Sequence, residues 1–210
     1  MSILFTMPPT PHPLPPADFA SRPLPIVRIK AAWWRVYPVA YGPIFFGKTG
    51  NNRYDAPADA SGARAYGVLY VARDPHGAFV ETFGHTTGVR VIDRAALAGR
   101  GLAKVTASRP LRLVDLRGKG LARVGADESL CAGPDYAVSQ AWSAALHDHP
   151  KKPDGLIYRA RHDPSRFSVA LFERASPVIR ARPVGRSFTD PKNERLLAEL
   201  LDTYDFGLID

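Results

Sequence analysis

Glu81 stands where a carboxylate can do chemistry. An apolar run from Val68 to Ala72 ends in Arg73-Asp74-Pro75, and a helical pattern begins at once. Asp74 suits an N-cap, Pro75 the first helical position and Gly84 the stop. Glu81 therefore falls about two turns into a short helix that follows directly on a buried strand. Phe79, Val80 and Phe83 are its apolar neighbours, and Tyr70 lies on the preceding strand. The competing use is structural: a solvated helix glutamate, since glutamate is almost never fully buried unpaired.

Around Glu81 the chain offers a spread set: Arg35 and Tyr37, Arg53 in a Gly/Asn-rich loop, Tyr70, and Ser139 with Gln140. Two arginines, aromatic rings, one acid and a hydroxyl match the needs of a dinucleotide with a cationic leaving group. Arginine forks suit pyrophosphate oxygens, and a tyrosine face can stack on a nicotinamide cation. A carboxylate can stabilise an oxocarbenium-like ribose as its glycosidic bond breaks. Each residue also has a plain structural use. Arg35 beside Trp33-Trp34 can serve as an ion-pair partner, Tyr70 as a strand aromatic, and Ser139 as a helix serine.

Several elements must position this set. Ala31 to Tyr37 reads as a strand, residues 39–60 as a long structured loop, and Leu102 to Ala107 and Leu111 to Leu116 as two strands parted by Ser108-Arg109-Pro110. Pro134 to His147 has a helical period, with Val138, Trp142, Ala145 and Leu146 on one stripe. Strands follow at Gly155 to Ala160, Ser168 to Glu173 and Pro177 to Arg182, and Asn193 to Tyr204 closes the chain as an amphipathic helix. Strands outnumber helices and do not alternate with them, so the expected class is α+β, with mixed or antiparallel sheets and flanking helices. Residues 1–28 carry eight prolines and read as an arm in front of one domain over residues 29–210.

Composition narrows the classes. The 210 residues suffice for one sizeable core. No apolar run reaches the 18 or more residues of a membrane span, and the N-terminus lacks the pattern of an export signal, so a cytoplasmic protein without membrane attachment is expected. A single cysteine, Cys131, excludes an internal disulfide and a cysteine-based zinc site. His147 and His149, two apart at a helix end, do not share a face, and no metal site is expected; both read as solvated. The net charge of +8 permits polyanion binding. The arginines are scattered singly, however, which suits a small phosphate-bearing ligand. Gly47-Lys48-Thr49 lacks the glycine and the strand-to-helix setting of a phosphate loop, and no Gly-x-Ser-x-Gly hydrolase elbow occurs.

In order and spacing the chain resembles the RES family, named for its Arg, Glu and Ser residues and found as the toxin half of bacterial toxin–antitoxin operons. The likeness runs from about Ala31 to Ala175. It rests on Trp34-Arg35-Val36-Tyr37, Gly50-Asn51-Asn52-Arg53-Tyr54, Val68-Leu69-Tyr70 with Asp74-Pro75 and Glu81, and Tyr136-Ala137-Val138-Ser139-Gln140-Ala141-Trp142. It ends in Asp154-Gly155-Leu156-Ile157-Tyr158-Arg159-Ala160-Arg161-His162 and Ala170-Leu171-Phe172.

The resemblance implies an ADP-ribosyltransferase-like fold, consumption of NAD as substrate, and silencing by a cognate antitoxin, with nucleic acid met only through that antitoxin. It implies Glu81 and Arg35 as the catalytic pair, Arg35 also as a dinucleotide ligand, and Tyr37, Arg53, Tyr70 and Ser139 as further ligands of the dinucleotide. The acceptor of ADP-ribose stays open between water or phosphate and a side chain of a target protein. From another class, a non-catalytic module holding a nucleotide or the antitoxin also fits. One position departs: many members carry a serine in the late strand where this chain has Ala160, which leaves Ser139 or Ser143 to supply the hydroxyl.

Overall fold

The computed structural model describes residues 13–210. In chain order it contains β1 (Ile26–Ile29), β2 (Trp33–Pro38), β3 (Val68–Ala72), α1 (Pro75–Phe83), β4 (Val91–Asp93), α2 (Arg94–Ala98), β5 (Arg100–Ala107) and β6 (Leu111–Leu116). There follow α3 (Lys119–Val124), α4 (Ser129–Ala132), α5 (Tyr136–Asp148), β7 (Gly155–Arg159), β8 (Phe167–Phe172), β9 (Ile179–Val184), α6 (Glu194–Tyr204) and β10 (Gly207–Ile209). The class is α+β, as the strand-rich pattern implies.

The turn from β3 into α1 forms for the reasons its residues suggest. The Gly77 N–H donates to the Asp74 carboxylate at 2.8 Å, and Pro75 takes the first turn, where no intrahelical donor is needed. At the far end the Gly84 N–H reaches the Val80 carbonyl. A Cβ there would lie 2.6 Å from that oxygen, so a glycine is required. Asp135 caps α5 in the same way, accepting from the Ala137 N–H at 2.8 Å.

Eight strands make one sheet in the order β1-β6-β7-β8-β3-β2-β5-β9, and β10 pairs with β4 in a small parallel ribbon. All neighbours in the large sheet are antiparallel except β6 and β7. A parallel pair needs a crossover, and residues 117–154, with α3, α4 and α5, supply it. One face of the sheet is covered at one end by α5, through the buried Trp142 and Leu146, and towards the other end by α1 and α6 around Phe79 and Leu200. On the reverse face, Val27 and Ile29 of β1 share a cluster with Ile179 and Ala181 of β9, which curls the sheet over its own core.

The sheet is split between β2 and β3. Only Trp34 and Ala72 are in register there, and the free edge of β3 beyond them bonds to the loop instead, through Gly47 and Val68 at 3.0 and 3.1 Å.

Residues 1–12 of the proline-rich stretch lie outside the described residues. The rest of it packs on the domain: Phe19 stands edge-on to Trp142 at 5.2 Å, the Trp142 indole N–H donates to the Pro13 carbonyl, and β1 joins the sheet. His147 and His149 are not solvated as their spacing suggests. His149 is 2% exposed and bonded to the Arg22 carbonyl, and His147 stacks on Tyr66 at 3.8 Å. Packing of the arm and the 39–67 loop over the end of α5 accounts for both.

Candidate functional site

A cleft of about 290 Å³ opens where the sheet splits, bounded by α1 on one side and by residues 45–53 and Tyr136 on the other. That is close to the lower limit for small-molecule sites. It brings together Arg35, Arg53, Tyr70 and Glu81. Tyr37 and Ser139 do not line it.

Arg35 owes its place to the split. Strand alternation puts it on the side of Trp33 and Tyr37, opposite Trp34 and Val36. Because β2 and β3 part here, its guanidinium reaches through the gap and donates from Nη1 to the Tyr70 carbonyl at 3.0 Å, where a ladder bond would otherwise be. Its Nε is buried without a partner. Burial of the charge lowers its pKa from the usual arginine value to about 10, partly offset by Tyr70. Tyr37, two residues on, is carried past the cleft and packs over β5. The absent side chain of Gly101 makes room for its ring, since a Cβ there would lie 2.7 Å from it.

Arg53 is held by a loop folded around one buried carboxylate. Asp55 accepts from the Gly50 and Asn52 N–H groups, the Asn52 side chain and the Thr49 hydroxyl at 3.0–3.2 Å, and from the Tyr70 hydroxyl at 3.0 Å. The Tyr54 N–H in turn donates to the Tyr70 oxygen at 2.9 Å, so that phenol is fully engaged. Burial, then the neighbouring Asp55 carboxylate, push its pKa well above the ordinary tyrosine value. Gln140 fixes the loop from α5, donating to the Gly50 and Asn52 carbonyls.

The Arg53 guanidinium lies 4.8 Å from the Tyr136 ring centroid and donates from Nη1 to the Leu130 carbonyl and the Ser139 hydroxyl at 3.4 and 3.5 Å. Its Nη2 is buried and unpartnered. Ser139 thus stands behind Arg53, with its own hydroxyl donated to Leu130. Ser143 is engaged likewise, with the Tyr54 carbonyl and the Tyr66 hydroxyl. Among the described residues neither Arg35 nor Arg53 makes an ion pair with a carboxylate.

Glu81 enters from α1. Its Oε1 accepts from the His162 N–H at 3.1 Å. Burial raises its pKa above the ordinary glutamate value, opposed by the backbone donors of His162 and Arg161 and by His85 and Arg53. His85 and His162 face each other at 3.5 Å on the rim. Burial, then His85 and the nearby arginines, hold His162 below the usual histidine pKa.

Other lining residues were not among the expected ligands: Trp34, Phe45, Tyr136, Tyr158, Arg161 and Ser168. Alternation with Tyr70 on neighbouring strands could have suggested Tyr158 and Ser168, but only once strand order is known. Ala160 is buried and does not line the cleft. Among the described residues no three His, Cys, Asp or Glu side chains are placed to share a metal ion, and no helix is long and apolar enough to cross a membrane.

Fold and cleft together define a mixed α/β protein whose mostly antiparallel sheet splits around a cationic, carboxylate-bearing cleft. The RES domain family matches residues 26–193, and the chain belongs to that family. It is 32% identical over 107 residues to a protein of Sinorhizobium fredii (strain NBRC 101917 / NGR234) named "Probable toxin y4kH", a match spanning 51% of this chain and 81% of that protein. Among solved structures, a chain of the M. tuberculosis MbcT-MbcA toxin-antitoxin complex superposes with a TM-score of 0.55 at 16% identity, over 84% of this chain and 92% of that one. That likeness bears on the fold.

Proposed function

We propose that this protein is the toxin of a toxin–antitoxin pair and that it breaks the nicotinamide–ribose bond of NAD. The observation that carries the reading is a convergence: the unpartnered Nε of Arg35, Nη2 of Arg53 and hydroxyl of Ser168 all belong to residues lining the cleft into which Glu81 projects. A buried polar group without a partner costs about 1–3 kcal/mol. A ligand with anionic oxygens and a polar ring substituent recovers that cost. The two guanidiniums, neither paired with an acid among the described residues, suit the pyrophosphate, and the aromatic walls suit flat rings.

Glu81 then faces the ribose. As the C–N bond breaks, its electron pair leaves with nicotinamide and positive charge grows on the ribose ring. A carboxylate fixed by the His162 N–H offsets that charge without reorganising. An acceptor oxygen closes on the ribose carbon and releases its proton. Burial raises the Glu81 pKa and places the group in a low dielectric, where the field of its ionised form acts most strongly.

The structural neighbour described above belongs to a toxin–antitoxin complex, and an antitoxin is the partner proposed here. The loop at the cleft rim exposes Val39, Tyr41, Ile44 and Phe45, with Tyr41 and Phe45 stacked at 5.8 Å. That rim also favours a second reading, in which the acceptor is a side chain of a target protein docked at the mouth.

One experiment separates these. Purified protein is incubated with NAD labelled in its adenylate half, with and without cell lysate. Free ADP-ribose or its phosphate ester supports small-molecule acceptors, and a labelled protein band supports the second reading. Unchanged NAD in every arm refutes both. In cells, expression is expected to arrest growth, Glu81→Gln to be harmless, and the product of a neighbouring gene to rescue the wild type.

A further inference from the structure

We infer that Ser168 is the residue that recognises the carboxamide of the nicotinamide ring. The inference rests on the NAD reading above and adds a contact that the Arg, Glu and Ser positions do not supply.

The floor of the cleft is a single row of side chains across four strands. Trp34 of β2 is opposite Ala72 of β3, Ala72 opposite Ser168 of β8, and Ser168 opposite Tyr158 of β7. Paired residues share a face, and all four line the cleft. Large rings stand at both ends of the row and two small residues lie between them, which leaves a slot at Ser168. α1 packs on Ala72 and closes that side of the slot: a Cβ on Gly77 would lie 3.2 Å from the Ala72 methyl. The same helix carries Glu81, whose charge acts on Tyr158 at the end of the row. The slot is therefore at the reacting end of the cleft.

Ser168 is the hydrogen-bonding group set into the middle of this floor. It is 4% exposed, and its hydroxyl has no partner among the described residues. Alanine, as at the flanking Ala72 and at Ala170 on the same strand, would fill that space without the cost of a buried unsatisfied hydroxyl. An apolar slot with one hydroxyl does not match a ribose, which brings several hydroxyls and needs several partners. It matches a flat heteroaromatic ring with one polar substituent. A serine hydroxyl both donates and accepts, so it can serve the carbonyl oxygen or the NH₂ of a carboxamide.

The placement also bears on Ala160. That residue directly follows β7, two positions after Tyr158, and its N–H donates to the Arg166 carbonyl. It stands diagonal to Ser168, a separation of about 7–8 Å in an antiparallel pair. A hydroxyl absent at Ala160 is thus present one strand over, whereas Ser139 and Ser143 are both spent on backbone carbonyls.

The test uses the full chain carrying Glu81→Gln, so that NAD is not consumed, with and without Ser168→Ala. Calorimetric titrations with NAD and with ADP-ribose, which lacks the nicotinamide, are compared. Ser168→Ala is expected to weaken NAD about fivefold to tenfold, the worth of one neutral hydrogen bond, and to leave ADP-ribose unchanged. Its melting temperature is expected to be equal or higher, because an unpartnered hydroxyl is removed. Equal losses for both ligands, or unchanged NAD affinity, overturn the assignment while the NAD reading stands. If the Glu81→Gln protein binds neither ligand, the NAD reading falls and this inference falls with it. Should Ser168→Ala fail to fold, Ser168→Cys replaces it, with the same selective loss of NAD expected and a shared loss refuting.

Discussion

Glu81→Gln is expected to move activity and stability in opposite directions. The amide has the shape of the carboxylic acid, and its carbonyl can still accept from the His162 N–H, which reaches Oε1 at 3.1 Å. What disappears is the charge. One preorganised electrostatic contact of this kind is worth about 3–4 kcal/mol in the transition state, so turnover of NAD should fall roughly 10²- to 10³-fold. Stability follows from the pKa. Burial raises that of Glu81 above the ordinary glutamate value, so the folded protein holds this proton at pH values where the unfolded chain has lost it. The stability tied to Glu81 is complete below the unfolded pKa and is lost as pH rises through the higher folded one. Above both, the wild type bears the full cost of a buried carboxylate and the glutamine variant bears none. The variant should therefore melt close to wild type at pH 4 and above it at pH 8. Chromatographic quantification of nicotinamide and thermal melts at the two pH values check both halves. Turnover within threefold of wild type refutes the catalytic assignment, and a variant that loses ground between pH 4 and pH 8 refutes the electrostatic argument.

Arg35→Ala and Arg53→Ala should each weaken NAD binding by about 1.5–3 kcal/mol per lost charge-assisted contact, read by calorimetry; unchanged affinity in both would move the ligand elsewhere. Tyr70→Phe should cost about 1–3 kcal/mol of stability in denaturant melts, because Asp55 and the Tyr54 N–H each lose the partner on the phenol. Asp55→Ala should cost more than Tyr70→Phe and also weaken NAD, since the loop that aims Arg53 closes around that carboxylate. Ser139→Ala should weaken NAD only through Arg53, so that in an Arg53→Ala background it has no further effect on affinity.

Local signals were legible where the chain itself supplies both partners. The Asp74 cap, Pro75 and Gly84 fix α1 within eleven residues, and the structure uses all three as the sequence suggests. Strands β2, β3, β6, β7 and β8 fall where apolar runs between turn residues put them. The crossover between β6 and β7 was not legible, because α3 and α4 are only six and four residues long, shorter than a helical period needs to show itself. Nor was β1, four residues at the end of a proline-rich stretch whose strand character comes from its antiparallel partner. His147 and His149 show the same limit: what buries them arrives from elsewhere in the chain.

The cleft is a harder case, since its geometry comes from a failure of pairing. A sequence that alternates correctly on β2 and β3 predicts a continuous ladder, and nothing in either strand announces that only Trp34 and Ala72 will meet. The split follows from the loop of residues 39–67, which returns to β3 and occupies its edge through Gly47. Gly67 permits the approach, for a Cβ there would lie 2.5 Å from the Phe46 carbonyl. Once the edge is taken, β2 is displaced, the Tyr70 carbonyl loses its ladder partner, and Arg35 is the donor within reach. The same event explains why Arg35 lines the cleft and Tyr37 does not, although both were legible as polar residues on one strand. Arg35 lies beside the gap and reaches through it. Tyr37 lies further along β2, opposite Gly101 of β5, and its ring is spent on packing there.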